Sequence, residues 1–323
     1  MNQDSNIFYS KILLFGEYSV IYNSMGLSIP YSHFRGELDF IGRDKYTDLN
    51  FARESNKLLR NFADHLKKLL LEKDLPFGFE IYEFLKDIER GLFFESTIPQ
   101  GFGLGSSGAL VAAVVDKYAD AGLNSLKRRT KQNIYRLKDV FSIFESFFHG
   151  TSSGLDPLNC YIKSPLLIES KENIKVVDLP DHTNLDNGAI FLVNSGTPRK
   201  TAPLVDFFLD KAKNDRLFYQ SIHEKFIPLT NNCINAMLKG DMPSFFSNLK
   251  DLSVYQYEFL SRMIPDSLKG VWENGMESND YSMKLCGSGG GGYLLGFTED
   301  YEKAQADFAQ KKIEIIPVYN SNH

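Results

Sequence analysis

The sequence predicts an α+β protein, and three observations predict it. Short apolar runs of strand length occur in both halves, at Phe8–Phe15, Ala189–Val193 and Tyr293–Phe297. Longer stretches with helical spacing stand between them. The two kinds of segment do not alternate in a strict βαβ rhythm, which argues against a parallel doubly wound sheet. The 323 residues are 43% hydrophobic and 24% charged, an ordinary balance for a globular chain of one large or two packed domains.

Taken in order, Phe8–Phe15 is bounded by Gly16 and reads as a strand. Asn56–Leu71 has helical spacing with Lys and Arg on one face. Phe77–Tyr82 alternates and reads as a strand. Ser107–Ala119 reads as a helix that starts at a glycine loop. Thr130–Phe148 is a second helix, with Ile134, Leu137, Val140, Phe141, Phe144 and Phe148 at core spacing. Tyr161–Ile168 and Ile174–Val177 read as strands around a polar turn. Pro180–Gly188 is rich in turn formers and is the candidate linker. A strand at Ala189–Val193 follows, then mostly helical segments to about Trp272. The chain closes with a glycine tract at Gly287–Gly292, a strand at Tyr293–Phe297, a helix at Tyr301–Gln310 and a strand at Ile313–Val318. No internal repeat or low-complexity tract is present.

The net charge is −5, so no general basic field draws the chain to nucleic acid. The densest basic run, Lys127-Arg128-Arg129-Thr130-Lys131, reads as a solvated helix start. The three cysteines are far apart with no CxxC, which speaks against zinc or a disulfide framework and fits a reducing cytosol. The N-terminal residues lack the charged and apolar regions of a signal peptide. No apolar run approaches a membrane span. The expectation is a cytoplasmic protein with no membrane and no nucleic-acid partner.

The segment Pro99-Gln100-Gly101-Phe102-Gly103-Leu104-Gly105-Ser106-Ser107-Gly108-Ala109 carries the most chemistry. Glycines allow positive φ and close approach of backbone to a ligand. A helix start offers unpaired N–H groups and partial positive charge. Together they make a phosphate cradle, which points to a nucleotide. Gly103, Gly105 and Gly108 formally satisfy G-x-G-x-x-G. The dinucleotide fingerprint needs a leading strand and an acidic residue about 20 residues on; Pro99 precedes the loop instead, and Lys127–Lys131 occupies the acidic position. A purely structural turn is the other competitor. No G-x-x-x-x-G-K-[ST] occurs. Two more segments stand out. Lys11-Ile-Leu-Leu-Phe-Gly-Glu17-Tyr18-Ser-Val20 puts charges at the ends of an apolar strand. Cys286-Gly287-Ser288-Gly289-Gly-Gly-Gly292 spends glycine entropy ahead of a strand, as where another backbone or a ligand comes close.

These three segments, in this order, resemble the motifs of the galactokinase, homoserine kinase, mevalonate kinase and phosphomevalonate kinase family, the GHMP kinases. The resemblance spans nearly the whole chain, and Pro-x-x-x-Gly-Leu-Gly-Ser-Ser is its most specific part. Further stretches resemble the mevalonate kinases within it. These are Lys11–Val20, Glu145-Ser-Phe-Phe-His149-Gly150-Thr-Ser-Ser153-Gly154-Leu155-Asp156, Thr197-Pro198-Arg199-Lys200-Thr201 and Lys284-Leu285-Cys286-Gly287. One residue departs. Tyr18 stands where mevalonate kinases carry His, and Gly-Glu-Tyr is the form usual in phosphomevalonate kinases.

The resemblance implies a two-domain architecture, residues 1–185 and 186–323, with the active site in the interdomain cleft. It implies ATP and Mg²⁺ as cofactors and phosphorylation of the primary hydroxyl of mevalonate. The acceptor could instead be phosphomevalonate or that of another family kinase. A catalytically silent binding protein of the same fold is the non-enzyme alternative. Asp156 is implied as the base for the substrate hydroxyl, with Lys11 supplying positive charge beside it. Its bland reading is a turn Asp before Pro157. Gly101, Gly103, Leu104, Gly105, Ser106, Ser107 and Gly108 would bind ATP. Ser107 and Glu145 would hold Mg²⁺, with Ser106 a weaker candidate and a helix cap the bland role of either serine. Glu17, Tyr18, Thr197, Arg199, Gly287, Ser288 and Gly289 would line the acceptor site, with Thr201 in the same cleft. His149 shares a helix face with Glu145 and reads as a structural histidine. A homodimer is open at the level of the family.

Overall fold

The computed structural model describes residues 6–42, 48–170, 172–179, 187–198 and 202–320. Strand β1 (Phe8–Phe15) is enclosed along most of its length, with Ile12, Leu14 and Phe15 fully buried. Burial on both faces explains why its sequence is a continuous apolar run instead of an alternating one. Its sheet neighbour is β2 (Gly26–Phe40). The chain divides into two units that interleave along the sequence. One comprises Met1–Lys11, Pro30–Pro99 and Leu104–Ser164; the other comprises Ile12–Ile29, Gln100–Gly103 and Pro165–His323. The expected linker and the boundary at 185/186 lie outside the described residues, apart from Asn187 and Gly188.

In the first unit, the end of β2 pairs antiparallel with β3 (Leu92–Ser96), from Gly36 opposite Ser96 to Phe40 opposite Leu92. Helix α1 (Leu49–Leu69) starts seven residues before the expected Asn56, because Asp48 caps it by accepting from the Asn50 and Phe51 amides. It buries Leu59, Phe62, Ala63 and Leu66, and Asn56 Nδ2 donates to the carbonyls of Ile88 and Leu92. Phe77–Tyr82 is not the strand its alternation suggests. Phe79 makes a single bridge to Ala119, and α2 (Ile81–Glu89) begins within the run. Phe84 and Ile88, four apart and buried, form the helical stripe that overrides the local period of two.

Helix α3 (Ser106–Tyr118) is buried from Gly108 to Val115 without a break, so it is apolar on every side. After the short α4 (Gly122–Leu126), α5 (Lys131–His149) starts at Thr130, whose hydroxyl accepts from the Asn133 amide. It buries Ile134, Leu137, Val140, Phe141 and Phe144, as their spacing predicts. Tyr161–Ile168 is not one strand. Tyr161 and Ile162 complete α6 (Leu155–Ile162), Lys163 at φ 53° ends it, and β4 starts only at Leu166. A short apolar run does not by itself separate strand from buried helix.

In the second unit, Gly26–Ser28 pairs antiparallel with β4 (Leu166–Ser170), which pairs with β5 (Asn173–Val176). An antiparallel sheet follows in the order β7 (Ser282–Leu285), β8 (Tyr293–Thr298), β6 (Ala189–Asn194) and β9 (Ile315–Asn320). Helices α7 (Ala202–Asn214), α8 (Arg216–Ser221), α9 (Ile227–Lys239), α10 (Met242–Phe259), α11 (Asp266–Ser278) and α12 (Tyr301–Gln310) complete it. Phe15, Phe245 and Phe297 pack together with ring centroids 5.9–6.0 Å apart. No helix among the described residues is long and apolar enough to cross a membrane.

The turn between α5 and α6 is the tightest point of the first unit. Gly154 has φ 72°, and a Cβ there would fall 2.1 Å from the Lys138 carbonyl oxygen and 2.6 Å from the Ser142 nitrogen. Gly154→Ala is therefore expected to cost about 3 kcal/mol or more, from left-handed strain plus overpacking. Gly150 has φ 71° and ψ −70°, a strained γ conformation, but open space around it, so Gly150→Ala should cost about 1–3 kcal/mol from backbone strain alone. Urea denaturation of both variants checks the difference.

Candidate active site

Four elements of the first unit converge on one cluster. The Lys11 amide in β1 donates to the Leu104 carbonyl at 2.9 Å, which registers the end of the glycine loop against the strand. Gly105 then caps α3 with φ 76°. A Cβ at Gly105 would lie 2.8 Å from Lys11 Cγ and 3.1 Å from Cε, so the lysine stem runs across the loop where only glycine leaves room. Helix α3 begins at Ser106, and its first-turn N–H groups have no partner within the helix. At Gly108 a Cβ would meet Asp156 C and Pro157 N, both at 2.8 Å. Gly108 thus lets the first turn of α6 lie flush on the first turn of α3.

That contact places Asp156. Its Oδ1 is 3.0 Å from Lys11 Nζ, with the lysine side chain 6% exposed and the aspartate side chain 40% exposed. The ammonium is enclosed and paired, as a buried charge must be. The carboxylate remains reachable from solvent. Behind it, Cys160 of α6 is buried, its Sγ 4.0 Å from the Gly105 carbonyl oxygen. Burial pushes that thiol's pKa up.

Helix α5 delivers Glu145 to the same cluster. Glu145 is buried and accepts a hydrogen bond from the Ser152 hydroxyl. Burial first, and then the charge of Asp156, push its pKa up from 4.5 to about 7, against the opposing pull of Ser152, Lys11 and Ser107. Ser107 Oγ is 3.1 Å from His149 Nε2. His149, one turn beyond Glu145, is thus tied to the hydroxyl at the start of α3. Neither this tie nor Ser152 was foreseen from the sequence, although the four-residue spacing of Glu145 and His149 marks the shared face.

These residues suit a phosphate-bound Mg²⁺. The unpaired amides of α3 fit an anion. Two mutually repelling carboxylates and a serine hydroxyl are hard oxygen donors, and Mg²⁺ on a phosphate takes only one or two protein groups. Among the described residues no group of three or more His, Cys, Asp or Glu is arranged to hold a metal of its own.

The second unit gathers the remaining predicted residues. Glu17 is fully enclosed, with Oε1 2.7 Å from Lys284 Nζ, and the Gly287 backbone adds a hydrogen bond to it. Burial pushes the Glu17 carboxyl up, while Lys284 pulls it down. Lys284 also donates to the Leu285 carbonyl at 2.7 Å. In the sequence it stands only within the Lys284–Gly287 stretch that resembles the mevalonate kinases. Tyr18 adopts φ 61°, a costly conformation for a non-glycine residue. Its ring packs on Phe208 with centroids 4.6 Å apart, and its hydroxyl donates to the Ser288 carbonyl at 2.5 Å. Thus Glu17 and Tyr18 both hold the second glycine tract. The Gly292 amide donates to the Thr197 carbonyl at 2.6 Å, and Gly101 faces Pro198. The Gly289 backbone packs under Met263. Arg199 and Thr201 lie outside the described residues.

Comparison with known proteins bears on the fold. Residues 57–162, which end with α6, match the family model "GHMP kinases N terminal domain". The chain is similar in structure to L. major mevalonate kinase in complex with R-mevalonate, with a TM-score of 0.64 and 18% identity over 98% of this chain and 96% of that one. The fold is that of the GHMP kinases. Other GHMP kinases match it comparably. Lactococcus lactis galactokinase complexed with galactose gives a TM-score of 0.65 at 14% identity, over 99% of this chain and 94% of that one. Streptococcus pneumoniae phosphomevalonate kinase in complex with phosphomevalonate and AMPPNP gives 0.58 at 15% identity, over 97% and 99%. No curated protein matches the sequence.

Two outcomes are expected. Because the folded pKa of Glu145 is raised, the folded state holds a proton that the unfolded state has lost between pH 4.5 and about 7. The stability from this group is present below the unfolded value and is lost as pH rises through about 7. In metal- and nucleotide-free buffer, stability should fall from pH 5 to 8 by on the order of 1–3 kcal/mol more in the wild type than in Glu145→Gln. Separately, Lys284→Met leaves Glu17 buried without its cation and should cost about 3–5 kcal/mol in urea denaturation.

Proposed function

We propose that this chain is a GHMP kinase that transfers the γ-phosphoryl group of ATP to the primary hydroxyl of mevalonate. The carrying observation is the Lys11–Asp156 pair at 3.0 Å, set beside the free amides at the start of α3. Asp156 accepts the hydroxyl proton through its solvent-reachable carboxylate. Lys11, held in place across Gly105, supplies the neighbouring positive charge. The α3 amides and Ser107 hold the phosphates, and Glu145 and Ser107 are the protein's donors to the metal. Mg²⁺-ATP, when bound, supplies the phosphoryl group and neutralises its oxygens. Asp156→Asn should lower kcat by about 10²- to 10⁴-fold while leaving ATP binding nearly unchanged, as read by ADP release and by titration calorimetry.

The acceptor rests on the motif resemblance and on mevalonate kinases among the similar structures. Tyr18 favours a second reading, phosphomevalonate as acceptor, because Gly-Glu-Tyr is the form usual in that enzyme. Parallel ADP-release assays on mevalonate, 5-phosphomevalonate and galactose decide between them. Turnover of mevalonate alone supports the proposal; turnover of phosphomevalonate alone replaces it. No turnover of any acceptor by folded, ATP-binding protein sinks both.

A further inference from the structure

The turn that joins α5 to α6 is fastened to α5 by two serine hydroxyls, and one of them ends on Glu145. Ser142 Oγ donates to the Ser152 carbonyl at 2.6 Å. Gly154, at φ 72°, lies so close to the Lys138 carbonyl and the Ser142 nitrogen that only glycine fits. Residue 152 is thereby held against the face of α5 that carries both Ser142 and Glu145, which stand three residues apart. The Ser152 hydroxyl donates to Glu145 Oε2 and accepts from the Gly154 amide at 3.0 Å. The neighbouring hydroxyl of Ser153 is turned elsewhere, accepting from the Leu155 amide at 3.3 Å on an exposed residue.

A hydroxyl has one proton and two lone pairs. The Gly154 N–H occupies a lone pair of Ser152, and an ionised carboxylate can only accept. The Ser152 proton therefore has one direction, toward Glu145 Oε2. That direction is set by the backbone of the turn before any ligand arrives. An ionised carboxylate offers about four acceptor positions. Ser152 takes one, the Ser107 hydroxyl also bonds the group, and the remainder can face a cation. Glu145 is buried, so a missing donor is not simply replaced by bulk water. One anchor thus serves both acids of the cluster. Ser152 holds Glu145, and the Gly154 amide it supports leads into the first turn of α6, where Asp156 stands.

We infer that Ser152 is a positioning residue for Glu145, one that fixes how the carboxylate is presented to the metal; the inference rests on the reading of Glu145 as a donor to Mg²⁺. Partners that orient a metal donor are costly to lose, at about 10- to 100-fold in metal affinity or activity. The competing role is that of a turn fastener, in which the hydroxyl serves the Gly154 amide alone. The two roles separate experimentally. A fastener acts on the backbone whether or not metal is present, whereas an orienting donor acts on what the metal contributes.

The test uses the full chain and the nucleotide analogue AMPPNP, titrated by calorimetry in Mg²⁺ and again in EDTA. The readout is the ratio of the two affinities, which needs neither acceptor nor turnover. S152A should cut that ratio about tenfold, S152T should keep it at the wild-type value, and the affinity in EDTA should be the same for all three proteins. S152C, close in shape but a weak donor, replaces S152A if the alanine variant does not fold, and the same fall is expected of it. A wild-type ratio in S152A, a fall that S152T shares, or an equal loss of affinity in EDTA would each overturn the inference. E145Q keeps the two possible failures apart. If E145Q lowers the ratio and S152A does not, the role of Ser152 fails while Glu145 stands as a metal donor. If E145Q leaves the ratio unchanged, or the wild type binds no AMPPNP, the metal reading of Glu145 falls and takes the inference with it.

Discussion

The first unit depends on one close approach, the first turn of α6 against the first turn of α3. It exists because residue 108 has no side chain, and a single added carbon would strike the Asp156–Pro157 backbone at 2.8 Å. From that contact the rest follows. Asp156 comes within 3.0 Å of Lys11, and its charge reaches Glu145, whose carboxyl burial has already made hard to ionise. Gly105 adds the second constraint by giving the lysine stem its path. Two glycines in a loop read as a phosphate cradle thus also set the distances between the charged groups around it.

The two buried lysines illustrate two uses of an ion pair. Lys284 and Glu17 exclude solvent on both sides, 0% and 1% exposed. Such a pair holds position and costs much to break, while adding little net stability. Lys11 is equally enclosed, but its partner is not. An aspartate left open to solvent beside a fixed cation can still exchange a proton with something that arrives. The sequence reading puts Lys11 beside Asp156 and Glu17 in the acceptor lining; the structure adds that the first pair is open on its acid side and the second is closed on both.

Legibility followed the physical range of each signal. Helix α5 could be read because its stripe is local and repeats over five turns' worth of sequence. The glycine loop ahead of α3 could be read because its spacing and the following helix are contiguous. The strand expected at Phe77–Tyr82 failed because a period of two over six residues is too short to outweigh the stripe of Phe84 and Ile88. Strand β2 left no local mark, since its pairing with β3 joins residues 52 to 60 positions apart. Lys284 as the partner of Glu17 was likewise invisible, because the pair spans 267 positions.

Cys160 lies under the Gly105 carbonyl, and all three thiols are buried. A thiol reagent needs the thiolate and a path to it, and the folded chain offers neither at Cys160. Alkylation there therefore counts the moments, local or global, when that burial is lost. The chain carries its own clock for that opening, with no label added and no residue of the active cluster changed.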